Sequence, residues 1–360
     1  MVILSSPVTD THDGVSLAPF ARYVVTISQG DAIIDALRSN DLKPVEASNF
    51  NSYERRYSGH DLNAKTLCIY RHAAFGDQLM TTAIPAYLKT RWPKSHVIMS
   101  CGIGVSEVWE NNPDVDFCSG AVPFETAKLS DYHLFFESML ECNGLEEQGN
   151  AYDDMFAFGG MLDVPNEFKR PHIYIGTTDI KRDSEWRNYI GKEPYIVYQW
   201  NAGNPVRQYP PDMAAKLLEQ WVDTKIVVVG KTKDKIPSLS HVVDLTNRTN
   251  HFRQLIPIIR QSKAVVCPDS SISHLCAAFP GEVKAISLWG PFSPDDRILY
   301  YENHTALQGR CPHAPCRTHS FKPPIDKCRD AGAEYVRADN CAALATITTH
   351  EIVSAIKNIL

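Results

Sequence analysis

Tyr195-Ile196-Val197-Tyr198-Gln199-Trp200 leads into Asn201-Ala202-Gly203-Asn204-Pro205-Val206-Arg207-Gln208-Tyr209-Pro210, and that in turn into Pro211-Asp212-Met213-Ala214-Ala215-Lys216-Leu217-Leu218-Glu219-Gln220-Trp221. The first six residues form an apolar, β-branched and aromatic run with the length of a buried strand. The last eleven carry apolar residues at helical spacing behind a proline suited to a first helical turn. A turn of small residues joins them. Strand, turn and helix in this order make the βαβ unit of a parallel sheet, unlike the pattern of a sandwich or a bundle.

The unit recurs at 67–70 followed by 77–91, and further strands are expected at 97–99, 133–136, 225–229, 264–267 and 285–289. Between the two groups, residues 176–194 are polar and charged, with Asp179, Lys181, Arg182, Asp183 and Glu185, and read as an interdomain linker. The first 64 residues are less regular, with one strand expected at 23–27 and one helix at 31–39, and form an N-terminal extension. Ile352, Ile356 and Ile359 fall at helical spacing and give a closing amphipathic helix. The expected organisation is an extension at 1–64, Rossmann-like domains at 65–180 and 181–348, and a final helix at 349–360. Ligands of such sheets sit outside the carboxyl ends of the strands, so a cleft between the domains is the expected site.

A chain of 360 residues with 44% hydrophobic positions buries enough surface for two domains. Its formal charge of −6 argues against a broad polyanion-binding surface, while leaving a modified nucleic acid open as a substrate. Residues 1–14 lack the basic and then apolar run of a secretory signal. No run approaches the roughly 20 apolar residues that span a bilayer. The expectation is a cytoplasmic protein that meets a membrane, if at all, through its substrate. The ten cysteines are expected to be mostly reduced in that compartment. Cys68, Cys101, Cys118 and Cys267 lie in or beside apolar segments, as small packed hydrophobes do.

Four segments carry residues suited to chemistry. In Arg71-His72-Ala73-Ala74-Phe75-Gly76-Asp77, Gly76 permits a tight turn or close substrate approach, and Asp77 stands at a helix N-terminus, as a cap or as a base. In the loop after 195–200, Gly203, Asn204 and Arg207 form either a diphosphate cradle or a surface turn with a solvated arginine. In Pro268-Asp269-Ser270-Ser271-Ile272-Ser273-His274, the serines serve a phosphate or merely cap a helix. No Walker pattern, Gly-x-Gly-x-x-Gly or Gly-x-Ser-x-Gly is present, which argues against nucleoside triphosphate, nicotinamide and hydrolase readings. Cys311, Cys316, Cys328 and Cys341 supply four sulfurs to a structural zinc, to a disulfide or to packed thiols; no His-Glu-x-x-His is present to suggest a catalytic metal.

In chain order these segments resemble glycosyltransferase family nine, the heptosyltransferase-like enzymes. The counterparts are Gly76-Asp77, Arg207-Gln208-Tyr209-Pro210, Asp269-Ser270-Ser271-Ile272-Ser273-His274 and Trp289-Gly290-Pro291-Phe292-Ser293-Pro294. Asn112-Pro113-Asp114-Val115-Asp116 and the helix behind Cys341 are similar to further family elements. The likeness covers residues 65–360, with Arg207 in place of a usual lysine, Tyr209 of a tryptophan and Ser271 of a glycine. It implies the GT-B architecture, two Rossmann-like domains whose parallel sheets face across a cleft. It further implies an inverting, metal-independent transfer, with no cofactor required, from a nucleotide diphosphate sugar such as ADP-heptose to an acceptor hydroxyl. Asp77 would be the base; Gly203, Asn204, Arg207, Asp269, Ser270, Ser271 and His274 would hold the donor; Arg71, His72 and Gly76 would shape the acceptor side. A nucleotide-sugar epimerase or hydrolase of the same fold, or a noncatalytic nucleotide-binding module, stands as the alternative. Neither acceptor nor oligomeric state is encoded legibly.

Overall fold

The computed structural model describes residues 2–5, 10–12, 15–17, 22–25, 57–102, 104–120, 122, 130–135, 150–317 and 341–360. The chain divides into two compact units. One comprises Met1–Ala73, Ile84–Ser106 and Pro113–Val164, the other Ala74–Ala83, Glu107–Asn112 and Pro165–Leu360.

In the first unit, β1 (Val2–Ser5) pairs antiparallel with β4 (Arg22–Val25), and β2 (Asp10–His12) with β3 (Val15–Leu17). The strand expected at 23–27 thus appears at 22–25, while the helix expected at 31–39 lies outside the described residues. Four parallel strands follow: β5 (Thr66–Tyr70), β6 (His96–Ser100), β7 (Phe117–Ser119) and β8 (Tyr132–Phe135), in the order β7-β6-β5-β8. Leu67, Cys68 and Ile69 are fully buried, which explains why β5 is an unbroken apolar run.

The second unit holds six parallel strands: β9 (Tyr195–Gln199), β10 (Lys225–Val229), β11 (Val242–Asp244), β12 (Ala264–Pro268), β13 (Ala285–Trp289) and β14 (His304–Gln308). Their order is β11-β10-β9-β12-β13-β14. The chain builds outward from β9 to β10 and β11, then returns to the other side of β9 with β12. The boundary between β9 and β12 is therefore the topological switch point, where a crevice opens at the carboxyl ends. Strands β9, β12 and β13 are buried at every residue, and the outer β14 is only partly covered, as its more polar sequence requires.

The helices that position the site are α1 (Phe75–Thr81), α2 (Thr177–Ile190), α3 (Pro211–Gln220), α4 (Ser271–Ala277), α5 (Asp295–Ile298) and α6 (Thr349–Ile359). In α3, Ala214, Leu217 and Leu218 pack on the sheet with Ile196, Tyr198, Ile226 and Val228. In α6, Thr348 and Glu351 cap the first turn reciprocally, and Ile352 and Ile356 are 0% and 1% exposed. Burial of each such isoleucine contributes about 1.5–3 kcal/mol. Ile359 packs on the same core while partly exposed.

The polar stretch 176–194 is largely the 14-residue helix α2. Its charges are not all solvated. The Asp179 carboxylate is buried, accepts from the Gly176 N–H at 2.9 Å, and receives the Arg253 guanidinium through Nε at 3.0 Å and Nη2 at 2.5 Å. Burial pushes the Asp179 carboxyl up, but the Arg253 fork and the Gly176 N–H outweigh it and hold it below the usual range. Arg253 also donates to the carbonyls of Tyr174, Glu107 and Glu110, so one guanidinium fastens segment 107–112 to the second unit. No helix among the described residues is long and apolar enough to cross a membrane.

Candidate functional site

Parallel pairing fixes which loops meet. Because β9, β12 and β13 are neighbours running in one direction, the segments after Gln199, Pro268 and Trp289 leave the sheet at one end. They carry Arg207, Asp269 with Ser270, and Arg297.

Across the switch point, the Ser270 hydroxyl donates to Gln199 Oε1 at 2.6 Å. Ser270 holds the N-cap position of α4, yet its side chain makes no capping bond; the hydroxyl is spent on joining β9 to β12 instead. Gln199 is held from its other end, where Nε2 donates to the Asn201 carbonyl at 2.7 Å.

Arg207 closes the single turn Pro205–Arg207, which the Asn204 side chain caps by accepting from the Val206 N–H at 3.1 Å. Its Nη1 lies 3.6 Å from Asp269 Oδ2, and Arg297 Nε lies 4.0 Å from the same oxygen. Asp269 is 2% exposed, and neither carboxylate oxygen accepts a hydrogen bond from the protein. The Arg297 guanidinium packs over the Phe292 ring at 4.7 Å.

The imidazole of His274 lies beside this group. Its Nδ1 is 2.7 Å from the Tyr301 hydroxyl. Burial pushes His274 down to about 4, with Asp269 and Asp77 opposing and Arg297 and Arg207 reinforcing the shift, so the ring is neutral at pH 7. One imidazole thus senses all four charged groups. The turn before α1 comes equally close: a Cβ on Gly76 would stand 3.3 Å from His274 Cδ2 and 3.6 Å from Ser271 Cα, room that a larger side chain would fill. Phe75 stacks on Phe252 at 4.5 Å, anchoring the start of α1. Asp77 is the third residue of that helix, behind an Ala74 N-cap, and is half-buried. It is therefore not the cap, and the helix begins at Phe75, earlier than the expected residue 77.

Gly76, Asp77, Arg207, Asp269, Ser270, Ser271 and His274 thus belong to one neighbourhood of the second unit. Asn204 shapes the Arg207 turn from within, and Gly203 faces open space. Arg71 and His72 belong to the first unit. There the Arg71 N–H donates to the Ser100 carbonyl at 2.9 Å, and exposed His72 places Nε2 2.7 Å from Ser100 Oγ. Cys311 and Cys316 are half-buried and Cys341 is buried, whereas Cys328 lies outside the described residues. Among the described residues, no three His, Cys, Asp or Glu side chains are grouped as metal ligands.

Sequence reasoning missed Gln199, Arg297 and Tyr301. For Arg297 a signal was present: Asp295-Asp296-Arg297 follows the strand end at Trp289-Gly290-Pro291 closely enough to start another helix at the same edge.

Residues 153–323 match the family model described as Glycosyltransferase family 9 (heptosyltransferase). The chain carries a glycosyltransferase family 9 domain. Solved structures agree on the fold of this glycosyltransferase. E. coli ADP-heptose lps heptosyltransferase II is 15% identical with a TM-score of 0.61, over 82% of this chain and 98% of that one. The glycosyl transferase family 9 protein from Veillonella parvula DSM 2008 is 14% identical with a TM-score of 0.61, over 83% and 98%. The iron-containing heptosyltransferase TibC of enterotoxigenic E. coli, solved with ADP-D-beta-D-heptose, is 10% identical with a TM-score of 0.58, over 83% and 77%. No curated protein matches the sequence. The mixed α/β fold with parallel sheets is thus that of GT-B heptosyltransferases.

The buried histidines of the glycosyltransferase predict acid lability. Burial holds His274 at about 4 and His304 at about 3, against 6.5 when exposed. Between pH 6.5 and those values the unfolded chain binds protons that the folded chain refuses, so stability falls as pH falls through this window. The His274 shift alone corresponds to about 3 kcal/mol. The thermal midpoint is expected to drop clearly between pH 7 and pH 5; an unchanged midpoint would show that these rings titrate freely.

Proposed function

We propose that the protein transfers a sugar, with inversion and without a metal, from a nucleotide diphosphate sugar to an acceptor hydroxyl. The reading is carried by one observation: beside the sheet switch point, the Gly76-Asp77 turn lies against His274, and the charges of Asp77 and Arg207 both act on that buried imidazole. Asp77 accepts the acceptor's proton while the acceptor oxygen attacks the anomeric carbon from the face opposite the diphosphate. The bond from that carbon to the diphosphate oxygen breaks, and Arg207 takes up the negative charge that grows there. His274, neutral, contributes a hydrogen bond rather than a charge. ADP-heptose is the donor class that the names of the structural relatives suggest, since TibC was solved with ADP-D-beta-D-heptose. Arg71 and His72, at the carboxyl end of β5, are assigned to the acceptor side.

Incubation with a panel of nucleotide sugars, with mass detection of released nucleotide and of product, tests this reading. Release that needs an acceptor and persists in EDTA supports it. Release or isomerisation without acceptor identifies a hydrolase or epimerase, and binding without turnover identifies a noncatalytic module. Loss of turnover in EDTA, restored by a divalent ion, would refute metal independence. Arg207→Ala is expected to weaken nucleoside diphosphate binding by about 10- to 100-fold, the range of a charge-assisted hydrogen bond. Unchanged affinity by calorimetry would remove Arg207 from the site.

A further inference from the structure

We propose that Arg297 is a second phosphate-contacting residue of this site, oriented together with Arg207 by the buried carboxylate of Asp269. The inference rests on the reading of the cluster as a nucleotide diphosphate site.

Arg207, Asp269 and Arg297 come from three separate loops, after β9, β12 and β13, and meet only because those strands are neighbours. Both guanidiniums approach a single oxygen, Asp269 Oδ2, at 3.6 and 4.0 Å. These are ion-pair distances too long for hydrogen bonds. A structural arginine–carboxylate pair closes much further: in the same unit the fully buried Arg253 grips Asp179 with two bonds at 3.0 and 2.5 Å. Asp269 accepts no hydrogen bond on either oxygen although it is 2% exposed. It therefore aligns two forks by charge without occupying the N–H groups of either.

Arg297 is not a solvated surface cation. Its side chain is 7% exposed, and the Phe292 ring 4.7 Å from its guanidinium carbon restricts the plane. A buried fork, Arg297, beside a half-buried one, Arg207, matches two linked phosphates, whose paired oxygens accept planar bidentate bonds. Asp269 is then a positioning residue that keeps the cations together while the site is empty of anion, and Arg297 contacts the diphosphate directly.

Calorimetry with a nucleoside diphosphate and with the matching nucleoside, on the full chain, tests this. Arg297→Gln is expected to weaken diphosphate binding about 10-fold or more and to leave nucleoside binding unchanged, because only the phosphates lose a partner. Arg297→Lys, which keeps the charge but not the fork, should fold normally and lose less, about 3- to 10-fold. Diphosphate affinity equal to wild type in the folded lysine or glutamine variant, with Arg207→Ala still impaired, would overturn the role of Arg297 alone. Should the glutamine variant fail to fold, the lysine variant decides. Failure of the wild-type protein to bind any nucleoside diphosphate would overturn this inference and the underlying site assignment together.

Discussion

Asp77→Asn is expected to lower sugar transfer by about 10²- to 10⁴-fold, the contribution of a positioned general base, while nucleoside diphosphate affinity stays near that of the wild type. Asparagine keeps the shape and the hydrogen-bonding reach of the aspartate but cannot accept the acceptor's proton. The substitution lies in the first turn of α1, which Phe75 anchors by stacking on Phe252, so the backbone should hold its place. A loss confined to kcat marks Asp77 as acting in the transition state, and an equal loss in nucleotide affinity would mark it as a binding residue. Near-normal turnover would remove it from catalysis and reopen the search for the base.

The largest stability effect is expected from Arg253→Met. Arg253 is 0% exposed and forms hydrogen bonds with one carboxylate and three carbonyls, of which the Asp179 carboxylate is itself buried. Removing the cation strands that carboxylate, at a cost of about 3–5 kcal/mol. Chemical denaturation should show a lower midpoint with an unchanged slope. Adding Asp179→Leu to Arg253→Met should recover part of the loss, since a pair removed together leaves no orphaned charge. If the single substitution is neutral, the bridge is not what holds segment 107–112 and α2 together.

This bridge also marks where local reading ends. The stretch 176–194 has the composition of a linker because Asp179, Lys181, Arg182, Asp183 and Glu185 are consecutive signals of solvent. It is nonetheless a helix, and one of those charges, Asp179, meets Arg253 some seventy residues away, a partner that no window of sequence contains. The Ser270 hydroxyl has the same lesson on a smaller scale. Its position before a helix suggests capping, and only the pairing of β9 with β12 brings Gln199 near enough to take the bond instead.

What the sequence determined by itself was the alternation of strand and helix, and hence parallel sheets. Strands buried on both faces must be continuous apolar runs, and 67–70, 195–200, 225–229, 264–267 and 285–289 announce themselves by that rule. It also determined which loops carry chemistry, because polar and small residues directly after such strands have few other uses. The tertiary structure alone decided which of those loops meet. Strand order is set by packing between distant segments, so the sharing of Asp269 by Arg207 and Arg297, and the holding of a neutral His274 against the Asp77 turn, exist only once β12 and β13 have taken their places beside β9.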